Sequence, residues 1–216
     1  PANMKRSSIV FAALLLCQAA TAQWKVKLPQ FRKDTLSITR YGAVPDGNTL
    51  NTKSITAAID AQAKKGGGVV LIPAGLWLTG PIVLKSNINL HLATGATLLF
   101  TKDFAEYPLV KANWEGLPQM RNQSPVSATN ATNIAITGKG IIDGNGDAWR
   151  MVKKDKLNET QWKKLISSGG VLSEDKKTWY PSEQSQKGSK RTNPGAIAPE
   201  KDGAFYKSIK DFLRPN

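Results

Sequence analysis

Residues 66–100 read Gly-Gly-Gly-Val-Val-Leu-Ile-Pro-Ala-Gly-Leu-Trp-Leu-Thr-Gly-Pro-Ile-Val-Leu-Lys-Ser-Asn-Ile-Asn-Leu-His-Leu-Ala-Thr-Gly-Ala-Thr-Leu-Leu-Phe. Short β-rich runs follow one another at 69–72, 76–78, 82–84, 88–92 and 97–100, and again at 134–136 and 141–142. Between them stand small polar corners: Pro73-Ala74-Gly75, Thr79-Gly80-Pro81, Lys85-Ser86-Asn87, Ala93-Thr94-Gly95 and Thr137-Gly138-Lys139-Gly140. Strands this short do not make a stable hairpin sheet by themselves. They suit a solenoid, in which each rung covers its apolar face with the next. The apolar residues do not alternate strictly, as expected of parallel strands buried on both faces. No helix separates the strands, which argues against a doubly wound fold. A Greek-key sandwich is the alternative this pattern leaves open. The reading adopted is all-β, a right-handed parallel β-helix.

Working toward the N-terminus, Pro45-Asp46-Gly47 is a turn. Asn51 or Thr52 then caps a short helix that closes this end of the solenoid. Ile55, Ala58, Ile59 and Gln62 share one face of that helix, and Gly66-Gly67-Gly68 stops it. Lys64 and Lys65 at its C-terminal end complement the helix dipole, a plainer role than ligand binding.

Residues 1–22 read as a secretory signal peptide. Lys5 and Arg6 precede an apolar run, and Ala20-Thr21-Ala22 offers a peptidase site with Gln23 as the new N-terminus. Met4 is preceded by Pro1-Ala2-Asn3, so the sequence does not open at a start codon. Processing as a lipoprotein through Cys17 is the lesser reading, because Leu16 is not the small residue that processing requires. The expected location is secreted or periplasmic, and no later apolar run reaches membrane-spanning length.

The net charge is +14, and without Lys5 and Arg6 it is +12. A surface this basic attracts polyanions. Charge alone does not choose among nucleic acid, anionic lipid and acidic polysaccharide; secretion argues against nucleic acid, and no membrane partner is expected once the signal is removed. One cysteine and one histidine exclude a disulfide framework and a multi-histidine metal centre.

The tail, 150–216, carries 15 basic and 8 acidic residues. Residues 151–166 allow a helix with Leu157, Trp162, Leu165 and Ile166 as apolar positions. Residues 181–203, rich in Ser, Pro, Gly and Lys, read as a long loop. Residues 150–205 are thus a basic insertion on the solenoid, of the kind that borders a cleft.

The residues that carry chemistry are few. Asp143-Gly144-Asn145-Gly146-Asp147 starts like a calcium loop, but Ala148 and Lys154 stand where Gly and Glu are needed. The two aspartates are also a conceivable acid/base pair, though aspartates in turns are commoner. His91 faces away from Leu90 and Leu92 and reads as a hydrogen-bonded strand residue. Neither a phosphate loop nor a serine nucleophile elbow occurs. Of six tryptophans, Trp149 and Trp179 lie in glycine-rich or loop sequence, where an indole can stack on sugar. Three glycosylation patterns begin at Asn122, Asn130 and Asn158.

Taken together, Tyr41-Gly42-Ala43-Val44-Pro45-Asp46-Gly47, Asn51-Thr52 and Ala57-Ala58-Ile59 resemble the opening of the polygalacturonases of glycoside hydrolase family 28. So do Gly66-Gly67-Gly68-Val69-Val70, Ile72-Pro73-Ala74-Gly75, Thr79-Gly80-Pro81-Ile82, Gly95-Ala96-Thr97-Leu98 and the run from Gly138 through Gly146 with Trp149. Trp179-Tyr180-Pro181 and Leu213-Arg214-Pro215 are similar to secreted bacterial members.

The resemblance implies hydrolysis of pectin-type galacturonan with inversion, without a cofactor. It also implies catalytic Asn-x-Asp and Asp-Asp motifs, a Gly-His-Gly and an Arg-x-Lys; the last three are absent and no Asn-x-Asp stands in the expected context. The expectation is therefore the N-terminal half of the catalytic domain, cut at its C-terminal end, with no catalytic residue and no metal ligand. Arg214, Trp149 and Trp179 are the substrate-binding candidates. The competing reading is a non-catalytic carbohydrate-binding β-helix.

Overall fold

The computed structural model describes residues 26–215. The expected signal peptide, Cys17 and Trp24 lie outside the described residues. The strands are β1 (Thr35–Ser37), β2 (Gly68–Ile72), β3 (Gly75–Thr79), β4 (Ile82–Val83), β5 (Ile88–Leu92), β6 (Ala96–Phe100), β7 (Leu109–Trp114), β8 (Leu117–Asn122), β9 (Val126–Ser127), β10 (Ala135–Gly138) and β11 (Ile141–Asp143). Helix α1 (Thr52–Lys64) lies between β1 and β2.

Three parallel sheets run along the solenoid. Their strand orders are β1-β2-β5-β10, β3-β6-β11 and β4-β9. Each turn of chain therefore adds one strand to each sheet, which is the parallel β-helix expected from the sequence. Register places like on like: Val70 pairs with Leu90 and Leu90 with Ile136, while Trp77 pairs with Leu98 and Leu98 with Ile142. Leu36, Val70, Ile72, Trp77, Leu90, Leu92, Leu98 and Phe100 fill the interior.

The inward positions of β2, β5 and β6 alternate strictly with half-buried ones. The mixed apolar pattern of the sequence thus comes from outward side chains such as Leu71. His91 is one of these outward residues, and its Nδ1 meets the Thr137 hydroxyl at 2.8 Å. The last rung leaves Ile136, Ile141 and Ile142 at 45, 61 and 42% exposure, because no further rung among the described residues covers them.

Corners repeat as faithfully as strands. Asn87 and Asn133 both adopt positive φ, and the Asn133 amide donates to Asn87 Oδ1 at 2.9 Å. At the rung above, Gly67 occupies the same corner at φ 96°, and a Cβ there would run into Asn87.

Helix α1 turns Ile55, Ala58, Ile59 and Gln62 inward, as its spacing predicts, and lies against β1, β2 and β5. Gln62 donates to the backbone oxygens of Asp34 and Gly67. Lys65 at its C-terminal end pairs with Asp34 at 3.8 Å. The N-terminus differs from expectation. Asn51 sits before the helix but makes no cap. Its amide instead bridges Val44, Thr49 and Leu78, and its Oδ1 accepts from Val44 N–H at 2.7 Å. In the same turn Asp46 accepts from the Thr49 hydroxyl and the backbone N–H groups of Thr49 and Asn48, which hold its carboxyl down to about 2.

Two segments depart from the solenoid. Strands β7 and β8 form an antiparallel hairpin around Glu115 and Gly116, both at positive φ. The second segment holds β12 (Val152–Lys153), α2 (Glu159–Ser167), β13 (Val171–Leu172), β14 (Thr178–Tyr180), α3 (Glu183–Ser189) and α4 (Gly203–Lys207). Its strands form a small antiparallel sheet in the order β12-β14-β13. The helix expected over 151–166 starts later, because Asn158 and Gln161 form a reciprocal capping box. The loop expected over 181–203 contains α3, started by the Ser182 hydroxyl accepting from Ser185 N–H. Asn122 is only 1% exposed and its amide nitrogen already donates to the Lys210 and Leu213 carbonyls, so the first glycosylation pattern is unusable in this fold.

Asn51 satisfies backbone groups of two separate segments inside a closed interior. Asn51→Ala should therefore cost roughly 2–4 kcal/mol, since buried groups left unsatisfied cost about 1–3 kcal/mol each. Urea denaturation reads this directly, and an unchanged midpoint would contradict the anchoring role.

Candidate functional site

The site is built where the last rung meets the basic insertion. After β11, Asp143 accepts from Asn145 N–H, and Asn145 turns left-handed and donates to the Phe100 carbonyl at 3.0 Å. This corner fixes the short turn Gly146–Trp149, which pushes Trp149 into the protein. The Trp149 ring meets Phe104 at 4.4 Å and Tyr107 at 5.1 Å, both edge-on. Tyr107 is fully buried and donates its hydroxyl to the Thr101 carbonyl at 2.8 Å. Burial, and then the neighbouring Glu106 charge, push its phenol up to about 12.

The two aspartates of this corner have separate partners. Asp143 is spent on the turn, and Asp147 pairs with Lys102 at 3.1 Å. Among the described residues no three His, Cys, Asp or Glu side chains gather as a metal site.

Arg214 arrives from the other side. Ile209, Leu213 and Tyr206 form a small apolar cluster against the hairpin, next to Leu109 and Met120. Asn122 of β8 locks this segment: its backbone N–H and its amide both donate to the Leu213 carbonyl, and the amide also reaches Lys210 O. Arg121 adds Nε to the Arg214 carbonyl at 3.0 Å. The Arg214 side chain is left exposed.

The result is a cavity of about 170 Å³ lined by Gly144, Gly146, Trp149, Arg150, Arg214 and Pro215. Neither Arg150 nor Arg214 pairs with a carboxylate among the described residues. Two guanidinium groups without carboxylate partners thus line one small cavity, and the planar fork of arginine has the shape that pairs with a carboxylate.

The structure thus brings Arg214 and Trp149 together and keeps Trp179 out of that cavity. Trp149 is 5% exposed, so it is the floor of the cavity and offers no open face for stacking. Trp179 is half-buried in β14, its ring NH donates to the Gly169 carbonyl at 2.7 Å, and Gly170 packs against the ring. Arg150 was not singled out from the sequence. Its signal was its place directly after Trp149, at the end of the glycine-rich corner.

The neutral phenol is the form the fold stabilises. That contribution is complete below the ordinary tyrosine value of 10.0 and is lost as pH rises through about 12. An absorbance titration should show one of the four tyrosines un-ionised at about pH 11 until the chain unfolds. Tyr107→Phe should remove that late component; its survival in the variant would contradict the assignment.

Comparison with known proteins agrees with the fold. An exo-poly-alpha-D-galacturonosidase of Dickeya chrysanthemi is 39% identical over 148 residues, covering 65% of this chain and 24% of that protein. The exopolygalacturonase of Thermotoga maritima superposes with a TM-score of 0.54 at 38% identity, covering 57% of this chain and 28% of that one. The family 28 exopolygalacturonase of Yersinia enterocolitica gives 0.50 at 30% identity, covering 72% and 26%. The chain therefore spans about a quarter of the length of these relatives. The right-handed solenoid and the resemblance to polygalacturonases read from the sequence both stand. Residues 35–197 match the family described as rhamnogalacturonase A/epimerase, pectate lyase-like, and the chain belongs to that family.

Proposed function

We propose that this chain supplies the N-terminal rungs and a cleft-bordering insertion of a secreted or periplasmic glycosidase acting on pectin-type acidic polysaccharide. The observation that carries the reading is the likeness to exopolygalacturonases in both sequence and fold. The unpaired Arg150 and Arg214 supply matching chemistry, since each sugar of such a polymer bears a carboxylate. Hydrolysis proceeds with inversion in this reading. That requires an acid and a base about 6.5–9.5 Å apart, to leave room for water between base and sugar. Asp143 and Asp147 are committed elsewhere, so the reacting carboxylates belong to chain beyond the residues described.

The polypeptide of these 216 residues is accordingly expected to release no reducing ends from polygalacturonate, while the intact gene product does. Release by the 216-residue polypeptide would overturn the assignment of the acid and base. Tight binding without release by the intact product would favour the non-catalytic carbohydrate-binding reading. Mass spectrometry of the mature protein should place its N-terminus at Gln23; a lipid on Cys17 or an uncut leader would contradict the export route.

A further inference from the structure

We propose that the cavity beneath the β7–β8 hairpin is a second uronate subsite, with Arg121 holding a sugar carboxylate and Trp114 flanking the ring. This rests on the acidic-polysaccharide reading above and adds a second point of attachment to it. The cavity measures about 280 Å³ and is lined by Trp114, Glu115, Gln119, Arg121, Asn193 and Phe212, among others. That is just below the roughly 300–1,000 Å³ of pockets for drug-sized ligands, and it suits a single sugar.

Arg121 is set up for an anion it does not have. Nε donates to the Arg214 carbonyl and Nη1 to Gln119 Oε1 at 3.2 Å, and the guanidinium lies 4.3 Å over the Trp114 ring. Its remaining nitrogen has no partner among the described residues, and no carboxylate pairs with it. Burial first, and the Arg214 charge second, push its proton affinity below the ordinary value. Two like charges held together, one of them half-buried, are destabilised in the free protein. A carboxylate placed between them relieves that cost, and such perturbed groups concentrate at binding sites.

Trp114 is 43% exposed, so its uncovered surface remains available to a sugar. The Arg214 side chain lines the cavity over Trp149 and its carbonyl holds Arg121, which makes the two cavities neighbours. A chain with a carboxylate on every sugar can occupy both. Glu115 at the hairpin tip is the one carboxylate lining the second cavity, and its charge opposes the ligand.

Calorimetry on the intact gene product with trigalacturonate, and with neutral galactotriose as control, tests the assignment. Arg121→Gln is expected to weaken trigalacturonate binding about tenfold, the scale of one charged hydrogen bond. Trp114→Ala is expected to weaken it about threefold. Glu115→Gln is expected to tighten it about twofold, with galactotriose unaffected by either charge change. Trp114 and Glu115 are exposed, so their variants decide the matter even if Arg121→Gln fails to fold. Unchanged binding in both overturns the subsite while leaving the proposed function intact. No trigalacturonate binding by the unmodified protein overturns both.

Discussion

Every feature of this molecule depends on one rung covering the apolar face of the one before it. Val70 is fully buried in the core that the rungs share. It is buried because Leu36 lies on one side and Leu90 on the other. Leu98 likewise lies between Trp77 and Ile142. The backbone groups of each strand are satisfied by the same neighbours, so packing and hydrogen bonding share one register. A slip of one residue would turn Leu90 outward and His91 inward. The corners enforce the register independently, since Asn87 and Asn133 bond to one another only when aligned. At the N-terminal end α1 ends the stack by presenting a helix face in place of a strand.

The candidate site inherits its geometry from that rigidity. The Asn145 amide ties the last corner to the Phe100 carbonyl of the previous rung. Trp149 then inserts between Phe104 and Tyr107, so the position of Arg150 follows from the solenoid. Arg214 is held by a different device, the Asn122 amide clasping Leu213. The last corner of the solenoid and the segment ending at Arg214 and Pro215 therefore meet over one cavity. Their guanidinium groups lie together without acids, a costly arrangement that structural packing does not require. An arrangement of this kind is what a polyanionic substrate would select.

The solenoid was legible in the sequence because its signals are local. Glycine, proline and asparagine corners punctuate runs of Val, Ile and Leu, and the strands fall within a residue or two of those runs. Helix α1 was legible for the same reason, although the work expected of Asn51 as a cap is done as a bridge to Val44 and Leu78. The hairpin is not legible in this way. Pro118 interrupts β8 and the apolar residues do not alternate, so Glu115-Gly116 was the only sign of a two-residue turn. Trp149 looked like a platform because glycines surround it. Its burial is decided by Phe104 and Tyr107, more than forty residues away, and no local pattern announces that contact. Arg121 was invisible for the same reason, since its meaning lies in Arg214.

The central claim is that the rungs set the cavity over Trp149, that the Asn122 clasp sets Arg214 beside it, and that the proposed ligand there is a sugar carboxylate. A crystal structure of the intact gene product soaked with trigalacturonate tests it most directly. The account predicts a uronate carboxylate within about 2.7–2.9 Å of the Arg214 guanidinium, the range of charged hydrogen bonds, above the Trp149 floor. Arg214 paired instead with a carboxylate of the protein, and sugar bound elsewhere, would contradict it.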